Sequence, residues 1–174
     1  KVVTLTSHVL TLSNYLSYLP DLLLQRLAID ASDNKPLLLP SYITKYNGTF
    51  PNSLVYLSTC RSSHNFTMAA AYLSKGAKAF YGYSDYVWAD YAGNVGKEMM
   101  ESFLTKGRTA GESWVDATSA HGANDGDGGG YPAAYFNIWG HTNLKMGGRE
   151  LQNGGFEEKL VGWDASGDAR VITS

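Results

Sequence analysis

The chain has 174 residues and a formal net charge of -2, with 44% hydrophobic residues and 17% charged ones. That length suits one ordinary domain with a buried core, and that hydrophobic share excludes an intrinsically disordered chain. A nearly neutral charge leaves no electrostatic footprint for a nucleic-acid partner.

A single cysteine, Cys60, excludes an intrachain disulfide and leaves the redox compartment open. No run approaches the roughly 20 apolar residues that a membrane span needs. The longest such stretches are Leu22-Leu23-Leu24 and Leu37-Leu38-Leu39. The first residues, from Lys1 to Thr6, and the last, from Ala169 to Thr173, both read as strands. The expectation is therefore a piece of a longer protein, in which a missing targeting signal carries no meaning.

In chain order, residues 1–7 are β-branched and apolar and predict a short buried strand, with His8 at its carboxyl end. Tyr15, Leu16, Leu19, Leu22, Leu23 and Leu27 recur at helical spacing between Asn14 and Ile29. Pro20 interrupts them, which predicts two short helices. Asp30 to Lys35 is a polar loop, Leu37-Leu38-Leu39 is bracketed by Pro36 and Pro40, and Asn47-Gly48 signals a turn. Ser53 to Ser58 is the clearest strand and runs into Thr59-Cys60.

A helix is expected from about Asn65 to Lys75, stopped by Gly76. Ala77 to Tyr83 is the next strand and ends in the polar turn Ser84-Asp85. Helices follow at Asn94–Thr105 and Gly111–Ala120, then a Gly-rich flexible loop or linker at Gly122–Gly130, then a last strand at Pro132–Trp139. Strand and helix in alternation indicate an α/β domain, with a mostly parallel sheet covered by helices on both faces. After Gly147-Gly148 the pattern changes to turns between short strands, placing a boundary near residue 148.

Functional groups in such sheets gather at the carboxyl ends of strands, where His8, Cys60 and Asp85 all fall. Cysteine proteolysis needs a thiolate, a nearby imidazole and backbone donors for the oxyanion. Neighbouring strand tips, about 4.8 Å apart, can bring a cysteine and a histidine together. The alternatives are an inert buried thiol for Cys60 and a capping or surface histidine for His8. His64, four residues past Cys60, is a competing partner or a loop residue, while His121 and His141 lack ligand spacing and read as surface. Asn124-Asp125-Gly126-Asp127 is rich in oxygen ligands but lacks the distal Glu of a calcium loop, so no metal is expected. Asn47-Gly48-Thr49 and Asn65-Phe66-Thr67 are glycosylation sequons, meaningful only in a secreted eukaryotic protein.

Leu54-Val55-Tyr56-Leu57-Ser58-Thr59-Cys60-Arg61-Ser62, followed by the stretch from Ala69 to Gly82, resembles the core of the caspase/CHAT/gingipain superfamily of clan CD cysteine peptidases. Members show a hydrophobic strand ending in the nucleophilic cysteine, a helix, and a Gly-Ala strand that leads to a specificity loop. The segment from Phe103 to Ser113 is also similar, and the match spans about residues 1–120. The resemblance implies a three-layer αβα sandwich over residues 1–148. It implies Cys60 as nucleophile and His8 as general acid/base, without a cofactor.

Val9 stands where the family normally has Gly after the histidine. By the same resemblance, Val9, Arg61 and Asp85 are the expected substrate contacts, and an acidic Asp85 would favour a basic P1 side chain. The tail from Leu151 to Asp168 resembles the opening strands of a β-sandwich of carbohydrate-binding type, which sets residues 149–174 apart as the start of a second domain. These resemblances imply a peptide or protein substrate, a glycan partner for the second domain, and a bacterial, extracellular or cell-surface setting. A catalytically inactive scaffold or adhesin module is the alternative. No Gly-x-Ser-x-Gly elbow, Walker A or Rossmann glycine pattern occurs, which sets aside serine hydrolase and nucleotide-binding readings.

Overall fold

The computed structural model describes residues 4–5, 11–30, 34–46, 48–126 and 132–146. Its elements in chain order are β1 (Thr4–Leu5), α1 (Leu12–Leu23), β2 (Leu27–Ile29), β3 (Pro36–Leu38), α2 (Pro40–Tyr46), β4 (Leu54–Tyr56), α3 (Phe66–Ser74), β5 (Ala79–Tyr83), α4 (Ala89–Leu104), α5 (Ala110–His121) and β6 (Phe136–Gly140). They confirm an α/β chain. One sheet has the order β1-β3-β2, with antiparallel pairs throughout. The other has the order β4-β5-β6, in which β4 runs parallel to β5 and β6 runs antiparallel to it.

Strand β5 is buried along its whole length, as a central strand must be when both faces are covered. Successive side chains of a strand point to opposite faces. Ala79, Tyr81 and Tyr83 accordingly join a cluster with Ala92, Val95, Met99 and Phe103 of α4, Ala110 and Ala117 of α5, and Phe136 of β6. Phe80 joins a separate cluster with Ile43 of α2 and Met68, Ala69 and Ala71 of α3. Helices therefore flank both faces of this sheet.

Local chemistry sets the helix ends. The Asn65 side chain accepts the Thr67 amide at 3.0 Å and so caps α3. Gly76 ends that helix region with a φ of +100°, a backbone conformation costly for any residue with a Cβ. Thr109 and Glu112 form a reciprocal capping box at α5, and the Thr109 backbone and hydroxyl hold the Glu112 carboxyl below its ordinary range.

Several expectations are corrected. Residues 14–29 form one helix and a strand instead of two helices. Pro20 lies inside α1, where its ring removes one backbone donor, yet the helical turn continues through the Leu24 amide bonded to the Pro20 carbonyl at 3.0 Å. Leu27–Ile29 leaves the helical pattern because it pairs with Pro36–Leu38. Helix α2 was not expected. It begins at Pro40, a residue suited to a first helical position, and buries Ile43 against α3.

The mostly parallel sheet is also corrected: among the described strand pairs only β4–β5 is parallel. Two helices, α4 and α5, separate β5 from β6. They return the chain to the carboxyl edge of β5, where Tyr83 pairs with Phe136, and β6 can only run back down. Residues 122–126 are not a free linker, since Asn124 bridges Tyr135 and the Phe136 amide donates to the Ala123 carbonyl at 3.1 Å. The expected boundary near residue 148 and the second domain at 149–174 lie outside the described residues. Among the described residues, no helix is long and apolar enough to cross a membrane.

The buried tyrosines make stability depend on alkaline pH. The Tyr81 hydroxyl donates to the Ala110 carbonyl at 2.7 Å, and burial pushes its pKa up to about 12. Burial likewise raises Tyr83, helped by its hydrogen bond to Tyr56. In the unfolded chain these phenols ionise near 10. Above that pH the unfolded state sheds protons that the folded state keeps, so stability is intact below pH 10 and falls as pH rises further. Each such tyrosine contributes a slope of about 1.4 kcal/mol per pH unit. Urea midpoints measured from pH 9 to 11 should drop steeply above pH 10, and Tyr81→Phe should flatten the drop. An unchanged midpoint at pH 11 would contradict the assignment.

Candidate functional site

Cys60 lies just beyond the carboxyl end of β4, in a loop that the sheet ejects and then recaptures. The Leu57 amide still donates to the Tyr81 carbonyl at 3.1 Å, continuing the parallel ladder. The next acceptor on β5, the Tyr83 carbonyl, is taken by the Ser63 amide at 2.8 Å. Residues 58–62 therefore bow out at the sheet edge, and Cys60 rides on the bow, partly exposed.

The bow is stitched down on every side. Ser62 Oγ donates to the Leu57 carbonyl at 2.9 Å and accepts the Tyr83 amide at 2.9 Å. Trp139 Nε1 donates to Ser63 Oγ at 2.6 Å, and Asn137 Nδ2 donates to the Ser63 carbonyl at 3.4 Å. Ser62 and Ser63 are both buried. Gly82 makes room for them, because a Cβ there would stand 2.7 Å from Ser62 Oγ and 3.0 Å from Ser63 Cβ. Gly82→Ala should cost about 1–3 kcal/mol through this overpacking. Gly93→Ala, in an exposed helical position with nothing within 4 Å, serves as the control and should hold or raise stability. Urea denaturation of the two variants decides it, and equal midpoints would count against the packing argument.

Arg61 follows the cysteine in the left-handed region, with φ +57°, and so turns the chain sharply after the sulfur. Its amide donates to the Asp85 carbonyl at 2.9 Å. Its guanidinium stands over the Tyr86 ring, 5.6 Å from the centroid, and its Nε is 3.8 Å from Asp85 Oδ1. That Nε is buried without a hydrogen bond, so its contact with the carboxylate is purely electrostatic. Asp85 Oδ1 also accepts the Tyr86 amide at 2.9 Å. The Cys60 thiol donates to the Val87 carbonyl at 3.7 Å. Among the described residues no acceptor meets the Cys60 amide.

Protein-family models, curated proteins and solved structures were all compared with this chain, and none matches.

The structure brings Cys60, Arg61 and Asp85 together at one rim. His8 and Val9 lie outside the described residues, but the expectation that their strand neighbours the Cys60 strand is corrected: β1 pairs with β3 in the other sheet, while β4 pairs with β5. His64 is exposed and already engaged: its Nδ1–H donates to the Ser84 carbonyl at 2.8 Å, while Nε2 accepts from Arg61 Nη2 at 3.0 Å. Asp125 Oδ2 accepts the Trp88 amide at 3.1 Å and Oδ1 accepts the Ala134 amide at 2.8 Å. Among the described residues, no cluster of His, Cys, Asp and Glu could hold a metal ion. A cleft of about 640 Å³ lined by Leu54, Met100, Phe103 and Leu144 opens at the amino end of β4, the end away from Cys60.

Ser62, Ser63, Trp139, Val87 and Asp125 were not legible as parts of this rim. The one available signal was the pairing of two serines after the cysteine with a glycine in the next strand. Small and polar residues there fit a loop laid onto a neighbouring strand.

Proposed function

We propose that this chain is the peptidase domain of a caspase-like cysteine endopeptidase, with a three-layer αβα sandwich over residues 1–148. The feature that carries the proposal is the partly exposed Cys60 at the carboxyl edge of the parallel pair β4–β5, in a loop pinned to β5 and β6. A nucleophile needs that combination of access and fixed position. The backbone N–H of Cys60 itself is the proposed oxyanion donor, since a tetrahedral oxyanion needs one beside the sulfur.

In this mechanism the Cys60 thiolate attacks the scissile carbonyl carbon, and the oxyanion is stabilised by the Cys60 amide. His8 takes the thiol proton and delivers it to the departing amine, leaving an acyl-enzyme thioester. Water, with its proton drawn off by His8, then cleaves the thioester and restores the thiol. Val9, Arg61 and Asp85 line the substrate side. A basic P1 side chain would compete with Arg61 for the Asp85 carboxylate, so P1 preference reports how firmly that pair is held.

The setting we propose is a bacterial, extracellular or cell-surface protein, with a glycan-binding second domain beginning at residue 149. The contact of the thiol with the Val87 carbonyl favours a second reading, a catalytically inactive module that serves as scaffold or adhesin. Assaying the full-length protein on a P1-diverse peptide library, beside Cys60→Ala, separates the two. Cleavage lost in the variant supports the peptidase. Absence of cleavage, together with slow alkylation of Cys60 by iodoacetamide, supports the inactive module.

A further inference from the structure

The loop between β5 and α4 is tied at both of its ends to the segment that precedes β6. At one end Ser84 is bound twice to Tyr135: its amide donates to the Tyr135 carbonyl at 3.0 Å, and its Oγ accepts the Tyr135 amide at 2.8 Å. At the other end the Trp88 amide donates to Asp125 Oδ2 at 3.1 Å. The second oxygen of the same carboxylate accepts the Ala134 amide at 2.8 Å, and the Asp125 amide donates back to the Ala134 carbonyl at 3.3 Å. Between these two anchors lie the groups that meet the cysteine loop. The Asp85 carbonyl accepts the Arg61 amide at 2.9 Å, and the Val87 carbonyl accepts the Cys60 thiol at 3.7 Å.

The geometry points to Asp125 as a positioning residue that latches residues 84–88 as a strap beside Cys60, and so sets how readily an electrophile reaches the sulfur. The inference rests on the reading of Cys60 as the reactive group. A carbonyl oxygen 3.7 Å from the sulfur occupies one of the directions from which an electrophile could approach. Trp88 follows Val87 directly, so holding the Trp88 amide limits where the Val87 carbonyl can swing. A carboxylate suits this task because its two oxygens can each accept from a backbone amide, and charge-assisted bonds of this kind are the stronger ones.

Asn at this position keeps one acceptor and turns an NH2 group toward a backbone N–H, setting donor against donor. Asp125→Ala removes both bonds.

The test measures the rate of Cys60 alkylation by iodoacetamide in the full chain, well below the unfolding transition, by mass spectrometry. Asp125→Ala and Asp125→Asn should both react about five- to tenfold faster than the parent, since each lost hydrogen bond shifts local opening by several-fold. Ser84→Ala, which loses one of the three hydrogen bonds that tie Ser84 and Trp88 to Tyr135 and Asp125, should move the rate in the same direction by less. Amide exchange across Val95–Phe103 of α4 should stay unchanged, separating release of the strap from general loosening. An Asp125→Ala rate within about twofold of the parent would overturn the inference.

Hydrogen exchange in the parent protein supplies a measurement that needs no variant. The Trp88 and Ala134 amides should be protected, and fast exchange at both would overturn the latch even if Asp125→Ala fails to fold. Alkylation needs no peptide turnover, so a latch that behaves as expected in a protein without peptidase activity would sink the proposed function and leave the strap standing.

Discussion

With Cys60 as the proposed nucleophile, peptide hydrolysis should fall by at least about a thousandfold in Cys60→Ala, because only binding and oxyanion stabilisation would remain. Cys60→Ser should be nearly as inactive, since an alcohol has a much weaker acid–base match to an imidazole partner than a thiol has. The fold should tolerate both changes. Cys60 is partly exposed, and among the described residues its thiol makes one long hydrogen bond, to the Val87 carbonyl at 3.7 Å. The urea midpoint should therefore stay close to that of the parent while turnover disappears. A structural thiol predicts the reverse pattern, with stability lost and activity unaffected. His8→Ala should lower turnover as well, but leave more residual activity, because bulk base can partly replace an imidazole. Hydrolysis that survives in Cys60→Ala, measured on the full-length protein against a peptide library, would end the peptidase proposal.

The largest effect on stability is expected at Phe136. Its ring is 1% exposed and stacks on Tyr81 with centroids 5.5 Å apart, while Tyr83 lies at 5.3 Å and Tyr56 at 6.2 Å. Its carbonyl accepts the Trp114 Nε1–H at 2.8 Å, so the residue also anchors α5 to the sheet. Phe136→Ala removes a buried aromatic ring and leaves a cavity among three tyrosines, which costs about 3–5 kcal/mol. Against a typical total stability of about 5–15 kcal/mol, that is a large share. Phe136→Leu refills most of the space and should cost well under half as much. Urea unfolding measures both. A loss below about 1 kcal/mol for the Ala variant would mean that the cluster repacks around the gap.

Much of the fold was legible because it follows from local pattern. The apolar run at Ala77–Tyr83, the alanine-rich stretch from about Asn65 stopped by Gly76, and the helices expected at Asn94–Thr105 and Gly111–Ala120 all carry their signals within a few residues. Boundaries were softer. Helix α4 starts at Ala89, earlier than its apolar spacing implied, since Ala92 is buried by packing against β5 and not by any feature of its own neighbours.

Failures came where distant segments decided the outcome. Leu27–Ile29 has the composition to extend a helix, and only its pairing with Pro36–Leu38 makes it a strand. Pro40–Tyr46 shows too few apolar residues to announce a helix, yet one of them, Ile43, is buried on α3. The direction of β6 is set by the two helices before it, which no window of sequence around Phe136 contains.

The candidate site divides in the same way. Residue order alone determined that Cys60 follows an apolar strand, that Asp85 follows the next one, and that a parallel pair would bring both to one edge. Those facts depend on strand geometry, which repeats wherever the pattern occurs. Only the tertiary structure decided that Arg61 pairs with Asp85, that His64 is spent on Ser84 and Arg61, and that Asp125 reaches Trp88 across 37 positions. Hydrogen bonds act over about 3 Å, so their partners are chosen by whichever chains the packing brings that close, and a linear sequence does not state that choice.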